Sequence, residues 1–199
     1  MKIYEKGFLK RNKKFLIIAL IIFLVATVLA IIVAYNAIGV NYGIITKTII
    51  NESQNNPTTS FNPDVGLDTV DLFLHNLGSD LLIIVGGVFF SIISLAVVVF
   101  NAVLIGSPFG SDFTFAALSI LPHGIIEYSA SIIALAAAFN ITKLEILMIK
   151  NRKFREVIDE NKILLKDTLL MTILMIVLLI IAAIIECNLT SYVIYWYFS

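Results

Sequence analysis

Three uncharged apolar runs constrain this chain more than anything else in it. Phe15 to Tyr35 is 21 residues without a charge, Leu81 to Gly106 is 26, and Thr168 to Ile185 is 18. The first two are each long enough as a helix to cross a hydrocarbon core of about 30 Å, and the third adds a further candidate span. Inside such a core every backbone N–H and C=O needs a partner within the protein, which leaves only helices and closed barrels, and runs of this length read as helices. With 59% hydrophobic and 14% charged residues and a mean hydropathy of +0.98, the composition lies far from that of soluble domains. The expected fold is an all-α integral membrane protein, a single transmembrane domain over residues 1–199.

Net charge is zero, yet its distribution is uneven. Lys2, Lys6, Lys10, Arg11, Lys13 and Lys14 precede the first span, and Lys143, Lys150, Arg152, Lys153, Arg155, Lys162 and Lys166 cluster between Asn140 and Asp167. Between Asn36 and Asp80, Lys47 stands against Glu52, Asp64, Asp68, Asp71 and Asp80. The positive-inside rule then puts both basic segments in the cytoplasm, with the C-terminus outside, in a multi-pass protein of the cell membrane. Orientation and attraction to anionic lipid explain the basic clusters, and no nucleic-acid partner is expected. The single cysteine, Cys187, has no partner for a disulfide or a Cys-rich metal site.

The expected organisation is a cytoplasmic arm (1–14), a span (15–35), an outer loop (36–80) and a second span (81–106). The loop contains the turn-rich stretch "NESQNNPTTSFNPDVG" and ends in a half-exposed helical segment, "DTVDLFLHNLGSD". "GSPFGSD" (106–112) reads as a tight turn. The run 113–121 is too short to span, and Pro122 lacks an N–H and clashes with the preceding helical turn. If the basic connector is cytoplasmic, 113–140 needs an even number of passages, so a hairpin broken at Pro122 is expected. The competing topology makes 122–139 a complete span with the connector outside. An amphipathic connector (141–166), a last span (167–187) and an aromatic tail (188–199) follow, giving a bundle of four to five membrane-crossing segments.

The polar residues of "LPHGIIEYSA" (121–130) are exceptional in such a chain. A helix starting at Pro122 puts His123 and Glu127 on one face, above Ala130, Ala134 and Ala138, small residues that admit a neighbouring helix. Gly87 and Ser91 form a matching small patch. The ladder serves an internal contact or a homo-oligomer equally well. His75, Asn76, Asn101 and Glu186 are further candidates for the same polar core. A charged carboxylate at mid-bilayer costs a few kcal/mol or more, so Glu127 is expected to be paired, protonated or hydrated.

Such a core is either a hydrogen-bonded network that fixes packing, or a substrate or ion site. No metal and no cofactor are expected: one His and one Glu four apart are not an HExxH helix, and no ExxH pair is present. A four-ligand set of His75, His123, Glu127 and Glu186 is the metal alternative. No nucleophile elbow, phosphate-cradling loop or dinucleotide fingerprint occurs, so no enzymatic activity is expected.

"FNAVLIG" (100–106), "LPHGIIEYSA" and "AAIIEC" (182–187), with "HN" at 75–76, resemble the stage II sporulation protein M family of integral membrane proteins. The resemblance singles out Asn101, Gly106, Pro122, His123, Gly124, Glu127 and Glu186. It implies a scaffold like the one that recruits cell-wall hydrolases in the septal membrane of sporulating bacteria. The expected partners are therefore the lipid bilayer and other membrane or envelope proteins. The alternative is a permease-like transport component with its site at the broken helix around His123 and Glu127.

Overall fold

The computed structural model describes residues 6–55, 69–111, 113–152 and 154–190, with 38–55, 111, 115, 189 and 190 described by backbone alone. The described residues are all-helical: α1 (Phe8–Asn55), α2 (Thr69–Val85) with a 3-10 turn (Gly86–Phe89), α3 (Ile92–Ser111), α4 (Phe113–Asn151), α5 (Phe154–Glu160) and α6 (Lys162–Ile185), closed by a π-helical turn (Glu186–Thr190). Five of these helices are long and apolar enough to cross a membrane: Phe8–Ala37, Thr69–Phe89, Ile92–Gly110, Ala116–Asn151 and Lys162–Asn188. The all-α, multi-pass expectation holds, at the upper end of its count.

Residue pairings fix the directions. Asp80 meets Ser131, Gly87 faces Ala138 and Ser91 meets Thr142, a constant offset that makes α2 and α4 parallel. Phe23 stacks on Tyr128, Phe15 on Phe139, and Asn12 meets Asn140, so α1 and α4 are antiparallel. By the same logic α3 runs against α2 (Ser79–Asn101, Ile83–Ser94), and α6 against α4 (His123–Glu186, Asn140–Met171). The five crossing helices therefore alternate in direction. One end of the bundle gathers the start of α1, the turn at 86–91, the end of α4 and the start of α6. The other gathers the start of α2, the end of α3, the start of α4 and Glu186.

Two expectations are corrected here. The apolar run 81–106 is not one span: it reverses at Phe90 and Ser91, whose φ values of 51° and 57° are left-handed. That conformation costs roughly 1–2 kcal/mol per L-residue, and packing on α4 offsets it. The Thr142 hydroxyl donates to the Gly87 carbonyl at 2.8 Å, Ser91 Oγ lies 2.7 Å from Thr142 Oγ1, and the Phe90 N–H donates to Glu145 Oε2 at 3.3 Å. A Cβ on Gly87 would fall 2.6 Å from the Ala138 carbonyl oxygen, so only glycine lets the turn sit this close. Gly87 and Ser91 are thus small residues that meet α4, but from the turn that joins two spans and not from the middle of one.

The second correction follows from the first. α4 is continuous through Pro122, and the hairpin expected over 113–140 does not form. Because the chain has already turned at 86–91, residues 107–111 stand at the far end, and one crossing by α4 returns it to the basic segment. The even number of passages is no longer needed. At about 1.5 Å per residue a helix of this length is roughly 58 Å long, so 141–151 of the expected connector (141–166) is its projecting end and 162–166 is the start of α6. Only the short α5 and its flanking turns remain. Residues 106–111 of "GSPFGSD" are likewise helical, with Pro108 inside α3. Gly106 and Gly110 instead make a GxxxG face against α1, where an added Cβ would lie 2.7 Å from the Thr27 carbonyl oxygen and 2.6 Å from Ala34 Cβ. The expected loop 36–80 is shortened by helix at both ends, through Asn55 and from Thr69. Positions 56–66 of its turn-rich stretch, and 191–199 of the aromatic tail, lie outside the described residues.

α4 is the central helix. Ala130, Ala134, Ala136, Ala137 and Ala138 are fully buried, more than one stripe's worth, because α1, α2, α3 and α6 all pack on it. Outward faces carry exposed Leu24, Val28, Ile32, Ile173, Val177 and Ile184, as expected where lipid is the solvent.

Candidate functional site

At the end of the bundle away from the basic segments, four helices bring polar side chains into the apolar interior. α4 presents His123 and Glu127 one turn apart, as their spacing requires. The π-helical turn that ends α6 carries Glu186; such turns widen the helix locally and recur at functional sites. Ligand-type atoms of His123, Glu127 and Glu186 all lie within 4.8 Å of one another. His123 Nε2 is 3.9 Å from Glu186 Oε1, close enough for an ionic contact if the imidazole is protonated but too long for a hydrogen bond.

Glu127 also lines an adjoining cavity of about 90 Å³, together with His75, Asn76, Ser79 and Asp80 of α2, Asn101 of α3 and Ser131 of α4. Two internal hydrogen bonds organise its wall. Asn101 Nδ2 donates to Ser79 Oγ at 2.9 Å, and the Ser131 hydroxyl donates to Asp80 Oδ1 at 2.7 Å. Asp80 is only 2% exposed, and its Oδ2 has no hydrogen-bond partner. An orphaned buried carboxylate oxygen is costly and calls for an explanation.

Of the residues singled out in the sequence, His75, Asn76, Asn101, His123, Glu127 and Glu186 come together here. Gly106 does not; it packs on α1. Pro122 lies half-buried in α4 just before His123. Gly124 is buried beside the Tyr128 ring, which a Cβ would meet at 2.8 Å, and Tyr128 in turn stacks on Phe23 with centroids 5.3 Å apart. Both belong to the packing around the site. Sequence reasoning missed Ser79, Ser131 and Asp80, the last because it was read as an outer-loop acid. The available signal was spacing: Asn76 and Asp80 are one helical turn apart, as His123 and Glu127 are.

A second buried polar cluster, also unforeseen, ties the opposite end together. Arg11 donates to both Asp167 oxygens (2.8 and 2.7 Å), Asn12 donates to Asp167 Oδ2 at 2.8 Å, and Asn140 donates to Asn12 Oδ1 at 2.8 Å. Asn12, Asn140 and Asp167 are at most 1% exposed. Both carboxylate oxygens are satisfied, which makes this a structural clamp joining α1, α4 and α6.

No solved structure matches the chain. An uncharacterised protein of Methanocaldococcus jannaschii is 26% identical over 160 residues, covering 77% of this chain and 88% of its own length. The family model described as stage II sporulation protein M matches residues 19–191, a range that contains all five crossing helices except the first turns of α1. Those 173 residues hold the turn at 86–91, the polar cavity and the His123–Glu127–Glu186 triangle within one matched unit, and the chain belongs to the stage II sporulation protein M family.

Proposed function

We propose that this membrane protein is a non-enzymatic scaffold, or subunit of a membrane or envelope complex, with its basic end in the cytoplasm. The observation that carries this reading is the size of the polar interior. A cavity of about 90 Å³ is well below the roughly 300–1,000 Å³ of small-molecule sites. At about 30 Å³ per water it has room for some three waters. A central helix whose buried alanines let α1, α2, α3 and α6 pack closely on it supports a rigid assembly element more than a solute pathway. Orientation rests on the Arg11–Asp167 clamp, which holds both basic segments at one end.

Gentle purification of the tagged protein from its native membranes, with mass spectrometry of what accompanies it, tests the proposal. Stoichiometric recovery of membrane or envelope proteins is expected. Recovery of the protein alone, combined with saturable solute flux in reconstituted vesicles, would overturn it.

One observation favours a second reading, a transport component for ions. Three carboxylates and a histidine converge inside the bundle, and intramembrane ionisable groups mark ion pathways. The form of that reading built on an unwound helix loses its basis, since α4 is continuous. An ion-dependent current in vesicles that Glu127→Gln abolishes would support it.

A further inference from the structure

The carboxylates around Glu127 pose a problem that the scaffold reading does not address. Glu127 and Glu186 meet His123 in one triangle, while Asp80, lining the cavity that Glu127 shares, keeps an oxygen with no donor. Hydrogen bonds from serine and asparagine satisfy other parts of the wall, yet among the described residues Asp80 has no basic ion-pair partner. The clamp at the other end shows what this bundle does when a buried carboxylate is structural: it supplies an arginine.

We propose that the protein binds one divalent transition-metal cation through His123, Glu127 and Glu186, with Asp80 in the adjoining cavity adding to the negative field at the ion. The donor set decides the class of ion. One imidazole nitrogen with two carboxylate oxygens suits zinc, manganese or iron(II), whereas magnesium and calcium favour all-oxygen shells. Geometry allows it with side-chain movement alone. Donors within 4.8 Å of each other must close to about 3.3 Å around a tetrahedral ion with bonds of about 2.0–2.1 Å. His123 and Glu127 sit on consecutive turns of the most tightly packed helix, and Glu186 is the residue at which α6 changes to a π-helical turn. Rigid elements thus supply the ligands from two sides, as a metal site requires. The cavity supplies space for a water in the remaining coordination position.

This site is independent of whether the protein scaffolds or transports. The test uses full-length protein in detergent, stripped with a chelator and re-equilibrated with zinc alone. Elemental analysis is expected to find one zinc per chain. Glu127→Gln and Glu186→Gln should each weaken binding at least tenfold in competition with a chromogenic chelator, and Asp80→Asn by a few-fold. Asp159→Asn, in an exposed ion pair with Lys162, should leave affinity unchanged. Cobalt(II) provides a readout in wild type that needs no variant to fold: a visible d–d spectrum of a low-symmetry site, lost or shifted in His123→Gln. Wild-type protein that retains no zinc above the buffer blank would overturn the proposal. So would Glu127→Gln and Glu186→Gln variants, eluting as wild type, that bind zinc as tightly as it does.

Discussion

The bundle buries two acidic side chains to the same depth and treats them in opposite ways. Asp167, at the basic end, receives two hydrogen bonds from Arg11 and one from Asn12. Asp80, towards the other end, receives one from Ser131 and keeps a bare oxygen. The basic end also has an orphan, Asn140 Oδ1, but that is a neutral amide oxygen, whose desolvation costs far less than a carboxylate's. Satisfied buried charge fixes the packing of α1, α4 and α6. Under-satisfied buried charge is a cost that stability alone would remove, so it points to a site with work to do.

The contrast predicts a ranked series of stability changes in metal-free protein, read from unfolding midpoints in mild detergent. Asp167→Asn should be the most damaging, at about 3 kcal/mol, because it strands Arg11 and Asn12; this is the lower part of the usual range since Arg11 is partly exposed. A loss below about 1 kcal/mol would erase the distinction between the two ends. Gly87→Val should cost about 2 kcal/mol or somewhat more by pushing the turn off Ala138. If it does not, the close approach of that turn to α4 is not what holds it. Ser131→Ala should cost about 1–2 kcal/mol by removing a donor to Asp80.

Asp80→Asn carries the opposite sign: a gain of about 1 kcal/mol near neutral pH, since it removes an incompletely paired buried charge. A destabilisation as large as that of Asp167→Asn would make Asp80 structural and end the comparison. Gly78→Ala, two residues away on α2 with nothing within 4 Å of its added Cβ, should change stability by only a few tenths of a kcal/mol in the favourable direction. It is the local control for the sign seen at Asp80.

Much of the site was legible because spacing within a helix is local information. His123 and Glu127 fall on one face whatever surrounds them, and rare polar residues in an apolar chain draw notice. Their grouping with Glu186, His75, Asn76 and Asn101 was an inference from rarity; the structure places Glu127 in a triangle with His123 and Glu186 and in a cavity with His75, Asn76 and Asn101. Asp80 and Asp167 were hidden for a different reason. Both lie at the edges of apolar runs, where a charge reads as a solvated boundary, and only the helices packed beside them reveal that they are buried.

The same division holds for the fold. Composition and the three uncharged runs determined that the chain is helical and crosses a membrane several times, because lipid leaves the backbone no other way to satisfy its hydrogen bonds. Charge bias determined that the two basic segments belong to one end. Where the chain turns was decided by tertiary structure. A turn was expected at Pro122, yet α4 passes through it; the lost hydrogen bond is one defect in a long helix held on several sides. The actual turn lies in an apolar stretch without proline, at Gly86 to Ser91, because Gly87 can touch Ala138 and because Thr142 and Glu145 of a distant helix bond the turn in its left-handed conformation. Hydropathy records how much of a chain can sit in lipid. It does not record which backbone can approach which, and that contact chose the topology.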